Sequence, residues 1–213
     1  FSRKKDGPMK LPSESNNRNS FLKGMGLNPE ELVTPVLEHG NTVRRVGKND
    51  KIVEGCDGVV TDEKGVILSV TVADCLPIFL FDPEREAIGL IHAGWRGLSK
   101  KIIDNTVDLF IKDFGSRPEK MTAVIGPGLC QEHFEVGKDV VSKFEVYPET
   151  VSINQGRIFV DIKGVAKTQL EETGLVSENI RTVPDCTFCL NSEYFSYRRD
   201  GPRDKIEAML CIL

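Results

Sequence analysis

VILSVTVADCLPIFLFDPEREAIGLIHAGWRG, residues 66–97, reads as three apolar strands that carry Cys75 in one turn and His92 in another. Val66 to Val72 is rich in β-branched residues, which suit a pleated surface. Ala73-Asp74-Cys75 follows, Leu76-Pro77 breaks the pattern, and Ile78 to Phe81 resumes it. Asp82-Pro83 marks a turn, and Ala87 to Ile91 is another apolar run of the kind buried on both faces. His92 stands at its end, where Gly94 and Gly97 permit a tight backbone path. Ser99 is placed to cap a helix whose apolar positions Ile103, Val107, Phe110 and Phe114 keep helical spacing, with Gly115 past its end and Pro118 beyond. His92 and Arg96 therefore fall between a strand end and a helix start. Open α/β sheets place ligands there, and a helix N-terminus favours an anion.

Working outward, residues 1–20 are polar and predict an arm laid over the body, from which Asn17 and Arg18 can reach a site. Asn28 caps a short helix with Pro29 in its first position. Thr34 to Leu37 and Thr42 to Val46 read as strand pieces around Glu38-His39-Gly40-Asn41, and Gly55 to Thr61 as a turn entering a strand, with Asp62 to Gly65 closing a hairpin into the central stretch. Met121 to Ile125 is a strand leading into Gly126-Pro127-Gly128, and a helix is expected from His133 to about Tyr147. Ile158 to Val160 is a short strand before a helix capped by Asp161 and stopped by Gly174; Ile180 to Val183 and Ile206 to Leu213 complete the strands. The pattern is α/β.

A chain of 213 residues suits one domain, 1–213, with a sizeable core. A net charge of -4, with lysines and arginines scattered, argues against a dedicated nucleic-acid binder and for a small-molecule partner. No apolar run approaches the roughly 20 residues that span a bilayer, and FSRKKDGPMK lacks the apolar core of a signal peptide, so no membrane association and a cytoplasmic location are expected. Six cysteines, at 56, 75, 130, 186, 189 and 211, fit reduced thiols better than a secreted disulfide framework.

Three constellations carry chemistry. Cys75, His92 and His39 offer one thiolate and two imidazoles, a donor set for Zn(II) or copper, with three protein ligands leaving one position open as in catalytic sites. Asp74 or Asp57 is available to orient an imidazole, although composition alone favours a turn role for both His39 and Asp57. Alternatively, Cys75 is a nucleophile and His92 its base. Third, His133-Phe134-Glu135 and Cys186-Thr187-Phe188-Cys189 imitate the zinc signature of nucleobase deaminases, imperfectly, because Asp185 separates Pro184 from the first cysteine and the two parts lie far apart. A lone C-x-x-C also serves redox chemistry or half of a structural zinc. Arg96, Arg198 and Arg199 suit phosphate through forked hydrogen bonds, with surface ion pairs as the plain explanation, and Trp95 suits stacking or packing.

Ala73-Asp74-Cys75-Leu76-Pro77-Ile78 and His92-Ala93-Gly94-Trp95-Arg96-Gly97, together with His39-Gly40-Asn41, Cys56-Asp57-Gly58, Ile125-Gly126-Pro127 and Tyr194-Phe195-Ser196-Tyr197-Arg198-Arg199-Asp200-Gly201, make the chain resemble the YfiH family, also called the polyphenol oxidase laccase-domain or peptidoglycan-editing-factor family. Leu37 departs from the glutamine often found there. The resemblance implies a layered α/β sandwich with mixed sheets, similar to the catalytic domain of cytotoxic necrotising factor. It also implies one metal ion held by His39, Cys75 and His92. The activities it implies are diverse: copper oxidase, purine nucleoside phosphorylase with adenosine deaminase and methylthioadenosine phosphorylase activity, and peptidoglycan-precursor editing hydrolase. Three histidines support only one mononuclear site, which disfavours a multicopper oxidase and leaves a mononuclear copper oxidase as an alternative. The expected function is a zinc-dependent purine nucleoside enzyme, with copper possible, in which Cys75, His92 and Asp74 are catalytic and Arg96, Arg198, Arg199 and Tyr197 bind the nucleoside or phosphate. The alternative is a cytoplasmic amidase that edits a muramyl precursor through activated water or Cys75.

Overall fold

Apolar residues alternating along the central strands sort themselves to two faces, and the chain builds a layer on each. The structure is a computed structural model describing residues 1–10, 15–201 and 207–213. In chain order its elements are α1 (Ser15–Gly24), β1 (Leu32–Pro35), β2 (Val43–Arg45), β3 (Ile52–Val53), β4 (Gly58–Thr61), β5 (Ile67–Val72), β6 (Leu76–Asp82), β7 (Ala87–Ala93), α2 (Trp95–Ser99), α3 (Ile102–Leu109), β8 (Thr122–Ile125), β9 (Glu135–Val136), α4 (Lys138–Val141), β10 (Val151–Asn154), β11 (Arg157–Val160), α5 (Ile162–Glu172), β12 (Ile180–Thr182), α6 (Tyr197–Asp200) and β13 (Met209–Ile212).

A six-stranded mixed sheet runs β12-β8-β6-β7-β4-β2, with β6 and β7 antiparallel at its centre. Val60, Ile78, Leu80 and Ile91 point to one face and pack with Leu98, Ile103, Val107, Phe110, Val165 and Leu170 of α2, α3, α5 and the turn after α3. Val59, Phe79 and Leu90 point to the other and meet Leu68, Val70 and Val72 of a second sheet, β13-β5-β1-β3. The period of two in the sequence thus becomes a helix, sheet, sheet sandwich with two cores. Truncating a central residue such as Ile91 is expected to cost about 2–5 kcal/mol. A small antiparallel sheet, β10-β11-β9, is formed by the chain between α3 and α5, with Phe134 of the cavity wall just ahead of β9.

Several sequence expectations change. Leu76-Pro77 does not interrupt a strand: β6 begins at Leu76, and Pro77 pairs with His92 as its second residue. Asp62 to Gly65 closes no hairpin, because β4 belongs to the six-stranded sheet and β5 to the four-stranded one. Ser99 is the last residue of α2, which starts four positions earlier under Gly94; Lys101, in the left-handed region at φ 63°, separates α2 from α3. The expected helix from His133 is instead a 3-10 turn, β9 and the short α4, since β9 is claimed by pairing with β11. The polar arm is docked: Ser2 donates its N–H to Leu210 O and Met9 to Ala208 O, and both are buried. Ile206, the expected start of the last strand, lies outside the described residues.

Candidate functional site

β6 and β7 are antiparallel neighbours, so the turn before one and the end of the other meet: Leu76 pairs with Ala93 and Pro77 with His92. This register brings Cys75 beside His92. His39 arrives from the β1–β2 connection with its backbone in the left-handed region at φ 57°, tolerable for histidine in a turn. The two imidazoles meet edge to face at 4.8 Å, and one ligand atom from each of His39, Cys75 and His92 lies within 4.8 Å of the others. Gly94 makes room for them, since a β-carbon there would stand 2.8 Å from Cys75 Sγ.

Asp57 holds the trio in place. Its carboxylate accepts from the N–H of His39 at 2.8 Å, of Gly40 at 2.7 Å and of Glu38 at 3.2 Å, and it lies 3.0 Å from His92 Nδ1. His92 and Asp57 are both buried, with side chains 3% and 1% exposed. With Nδ1 engaged, Nε2 is the atom His92 has left for a ligand. Burial alone would raise the Asp57 carboxyl's pKa, but His92 and the amides outweigh it and hold it below the usual range. Burial likewise opposes ionisation of Cys75, yet the charge and hydrogen bonds of His92 and His39 bring the thiol down to about 6. Burial works against a charged His92 too, and is overcome by Cys75 and Asp57, which raise it to about 9. A soft thiolate next to two imidazoles, one locked by a carboxylate, fits a borderline metal such as zinc or copper, with His39, Cys75 and His92 as its holders.

The trio lies at a cavity of about 1200 Å³ whose lining includes Trp95, Arg96, Leu129, Phe134, Tyr197 and Arg198. Arg96 is exposed with its guanidinium 4.4 Å from the Trp95 ring centroid, and Arg198 donates from Nη1 to Glu135 O at 3.1 Å and covers Phe134. Arg18 is also part of the lining; buried, it donates to Met9 O and Thr34 Oγ1 and so joins arm to β1.

A family model described as multi-copper polyphenol oxidoreductase laccase matches residues 12–210. The chain belongs to that family. This laccase-family chain is 32% identical over 200 residues to the purine nucleoside phosphorylase of Bacteroides thetaiotaomicron, covering 87% of this chain and 74% of the relative. It is 29% identical over 192 residues to the adenosine deaminase RL5 of an unknown prokaryotic organism, covering 83% and 73%. The crystal structure of YfiH from Bacillus licheniformis superposes with a TM-score of 0.87 at 28% identity, covering 92% of this chain and 79% of that one. Among curated relatives the chain spans as little as 47% of the partner's length, in the mouse purine nucleoside phosphorylase LACC1. The expected YfiH membership and mixed-sheet fold are thereby established.

Within this laccase-family site, three sequence readings are revised. Of the two carboxylates offered to orient an imidazole, Asp57 and not Asp74 stands against His92, and it anchors the His39 turn as well, where the sequence favoured a turn role alone. Asp74, expected to be catalytic, lines the cavity, but both its oxygens are occupied: Thr187 Oγ1 donates to one at 2.6 Å and the Arg198 N–H to the other at 2.6 Å. Arg199, expected on phosphate, points away; its guanidinium donates to Thr187 O, Phe188 O, Tyr194 O and the Asp200 carboxylate, which leaves no fork for an anion. Finally, the segments around His133 and Cys186, distant in sequence, converge with Cys130 in a second cluster of ligand atoms. Among the described residues no helix is long and apolar enough to cross a membrane.

Proposed function

We propose that this chain is a metal-dependent purine nucleoside enzyme, with zinc as its metal, that splits adenosine, inosine and methylthioadenosine by phosphorolysis and deaminates adenosine. The observation that carries this reading is the His39, Cys75 and His92 trio beside a cavity of about 1200 Å³ with Arg96 and Arg198 in its wall. The names of the relatives from Bacteroides thetaiotaomicron and of RL5 support it.

When bound, zinc supplies Lewis acidity and a nucleophilic water near neutral pH. The rest falls to the protein. Phosphorolysis needs an anion held against the ribose C1′ and a surface for the base. Arg96 and Arg198, in the wall beside Cys75 and His92, are cations suited to the anion, and Trp95, Phe134 and Tyr197 offer faces on which a purine can lie. Asp57 fixes the tautomer and direction of His92, and the left-handed turn at His39 hangs on the same carboxylate. Asp74 serves by positioning, tying Arg198 and the Thr187 loop beside Cys75. The six cysteines are free thiols, which suits a reducing compartment.

The test is adenosine turnover with and without phosphate by the purified protein beside Cys75→Ala and His92→Ala. Ribose 1-phosphate and inosine from the unaltered protein alone are expected. Bound metal without purine turnover transfers the assignment to the precursor-editing hydrolase or a mononuclear copper oxidase. Full activity in metal-free protein makes Cys75 a nucleophile with His92 as base.

A further inference from the structure

We propose a second metal site, a structural zinc held by Cys130, His133, Cys186 and Cys189. One ligand atom from each of the four lies within 4.8 Å of the others. His133 Nδ1 stands 3.1 Å from Cys130 Sγ, 3.4 Å from Cys189 Sγ and 4.0 Å from Cys186 Sγ. With Zn–S of about 2.3 Å and Zn–N of about 2.0 Å, a tetrahedron has sulfur-to-nitrogen edges of about 3.5 Å. The three edges straddle that value.

The surrounding chain is shaped for the purpose. Cys130-Gln131-Glu132-His133 winds through a 3-10 turn, and Cys186 to Cys189 through a wider turn closed by Leu190 N–H on Cys186 O at 3.0 Å. The two turns are joined by a bridge between Gly128 and Cys186 and by the Cys130 N–H, which donates to Cys186 Sγ at 3.3 Å. Phe188 stacks on the His133 ring at 4.1 Å and 19°, fixing its direction. Three thiolates around a divalent ion leave one net negative charge. Lys163, 8% exposed, answers it: its ammonium donates to Val183 O at 2.9 Å and Asp185 O at 2.8 Å, on the segment that enters Cys186.

Four protein ligands fill a tetrahedron, so this site has no open position and no catalytic role. The deaminase reading also fails on its carboxylate: Glu135 of the H-x-E turns to Arg157, 3.4 Å away. A disulfide within Cys186-x-x-Cys189 would account for two of the four groups and leave Cys130 and His133 gathered around nothing. The consequence of the metal is mechanical. It staples the loop after β8, which bears Leu129 and Phe134 of the cavity wall, to the loop after β12, which bears Thr187 on Asp74.

The experiment measures zinc per chain in the full-length protein, in His39→Ala/Cys75→Ala and in Cys186→Ser/Cys189→Ser, beside a count of reactive thiols. The His39→Ala/Cys75→Ala protein is expected to keep about one zinc. The Cys186→Ser/Cys189→Ser protein is expected to lose one relative to the unaltered chain. If that second variant fails to fold, Co(II) added to metal-free His39→Ala/Cys75→Ala protein decides: intense thiolate-to-cobalt absorption with tetrahedral ligand-field bands supports the site. No zinc in His39→Ala/Cys75→Ala with no such spectrum, or Cys186 and Cys189 recovered as a disulfide from freshly purified protein, overturns it.

Discussion

Asp57 carries more of the site than either histidine, since one carboxylate receives three backbone amides and faces His92. Asp57→Asn keeps the shape but gives the amides an NH₂ group that cannot accept. Metal affinity at the His39, Cys75 and His92 trio is expected to fall about 10–100-fold, and stability by about 1–3 kcal/mol from the unsatisfied buried donors; metal titration and thermal melts check both. Affinity unchanged in a folded variant would show that His92 needs no orienting partner. Residue by residue, the sequence was legible where chemistry and hydrophobicity coincide. Cys75 and His92 interrupt or end apolar runs and so announced themselves. His39 and Asp57 sit in polar turns, so the sequence could offer them as candidates but not choose between ligand or orienting roles and plain turn roles; their mutual hydrogen bond decides it. Arg199 misled for a related reason: its charge is visible in the sequence, but the five hydrogen bonds that consume it are not.

The turn between β7 and α2 is the element on which the site's geometry depends. A β-carbon at Gly94 would meet Cys75 Sγ at 2.8 Å, so Gly94→Ala must displace the thiol or the turn. A cost of about 1–3 kcal/mol is expected, with metal affinity falling alongside it. Gly24 in α1 has no neighbour within 4 Å of a β-carbon, and Gly24→Ala is the matched control, expected to be neutral or stabilising by up to about 1 kcal/mol. Equal effects in the two variants would sink the steric account. At this scale strands were the readable part, β5 to β8 following β-branched and apolar runs closely. What failed was local punctuation overridden by long-range pairing: Pro77 was accommodated at the start of a central strand, and the segment after His133 became β9 because β11 was there to receive it.

For the whole molecule, Cys75 and His92 in the metal-free state form a thiolate–imidazolium pair whose effect on stability depends on pH. Cys75 is depressed from an ordinary 9.0 to about 6, so its contribution is complete above 9.0 and is lost as pH falls through about 6. His92 is raised from 6.5 to about 9, so its contribution is complete below 6.5 and is lost as pH rises through about 9. Between pH 6.5 and 9 one contribution grows as the other fades, so together they predict a melting temperature for metal-free protein that is level across that window, with only a small loss as pH falls from 6.5 to 6. Metal binding in that window must displace His92's proton, so about one proton should be released per ion at the trio. Calorimetry in buffers of different ionisation enthalpy reads this directly, and release of none would contradict the protonated imidazole. The residues alone gave an α/β pattern and the family resemblance gave the layers; His133, Cys186 and Cys189 were offered together only as an imperfect deaminase signature, without Cys130, because the parallel pairing of β12 with β8 that aligns their loops leaves no mark in either segment.

Asp74 stands at φ 88° and gathers bonds from three separate loops: the Leu129 N–H on its carbonyl, the Thr187 hydroxyl and the Arg198 N–H on its carboxylate. Groups that share one anchor have no private way to open. In hydrogen–deuterium exchange, the amides of Leu129 and Arg198 should therefore open as one cooperative unit with a common free energy, below that of the amides in β6 and β7. Asp74→Ala should accelerate both amides together while leaving the central strands protected.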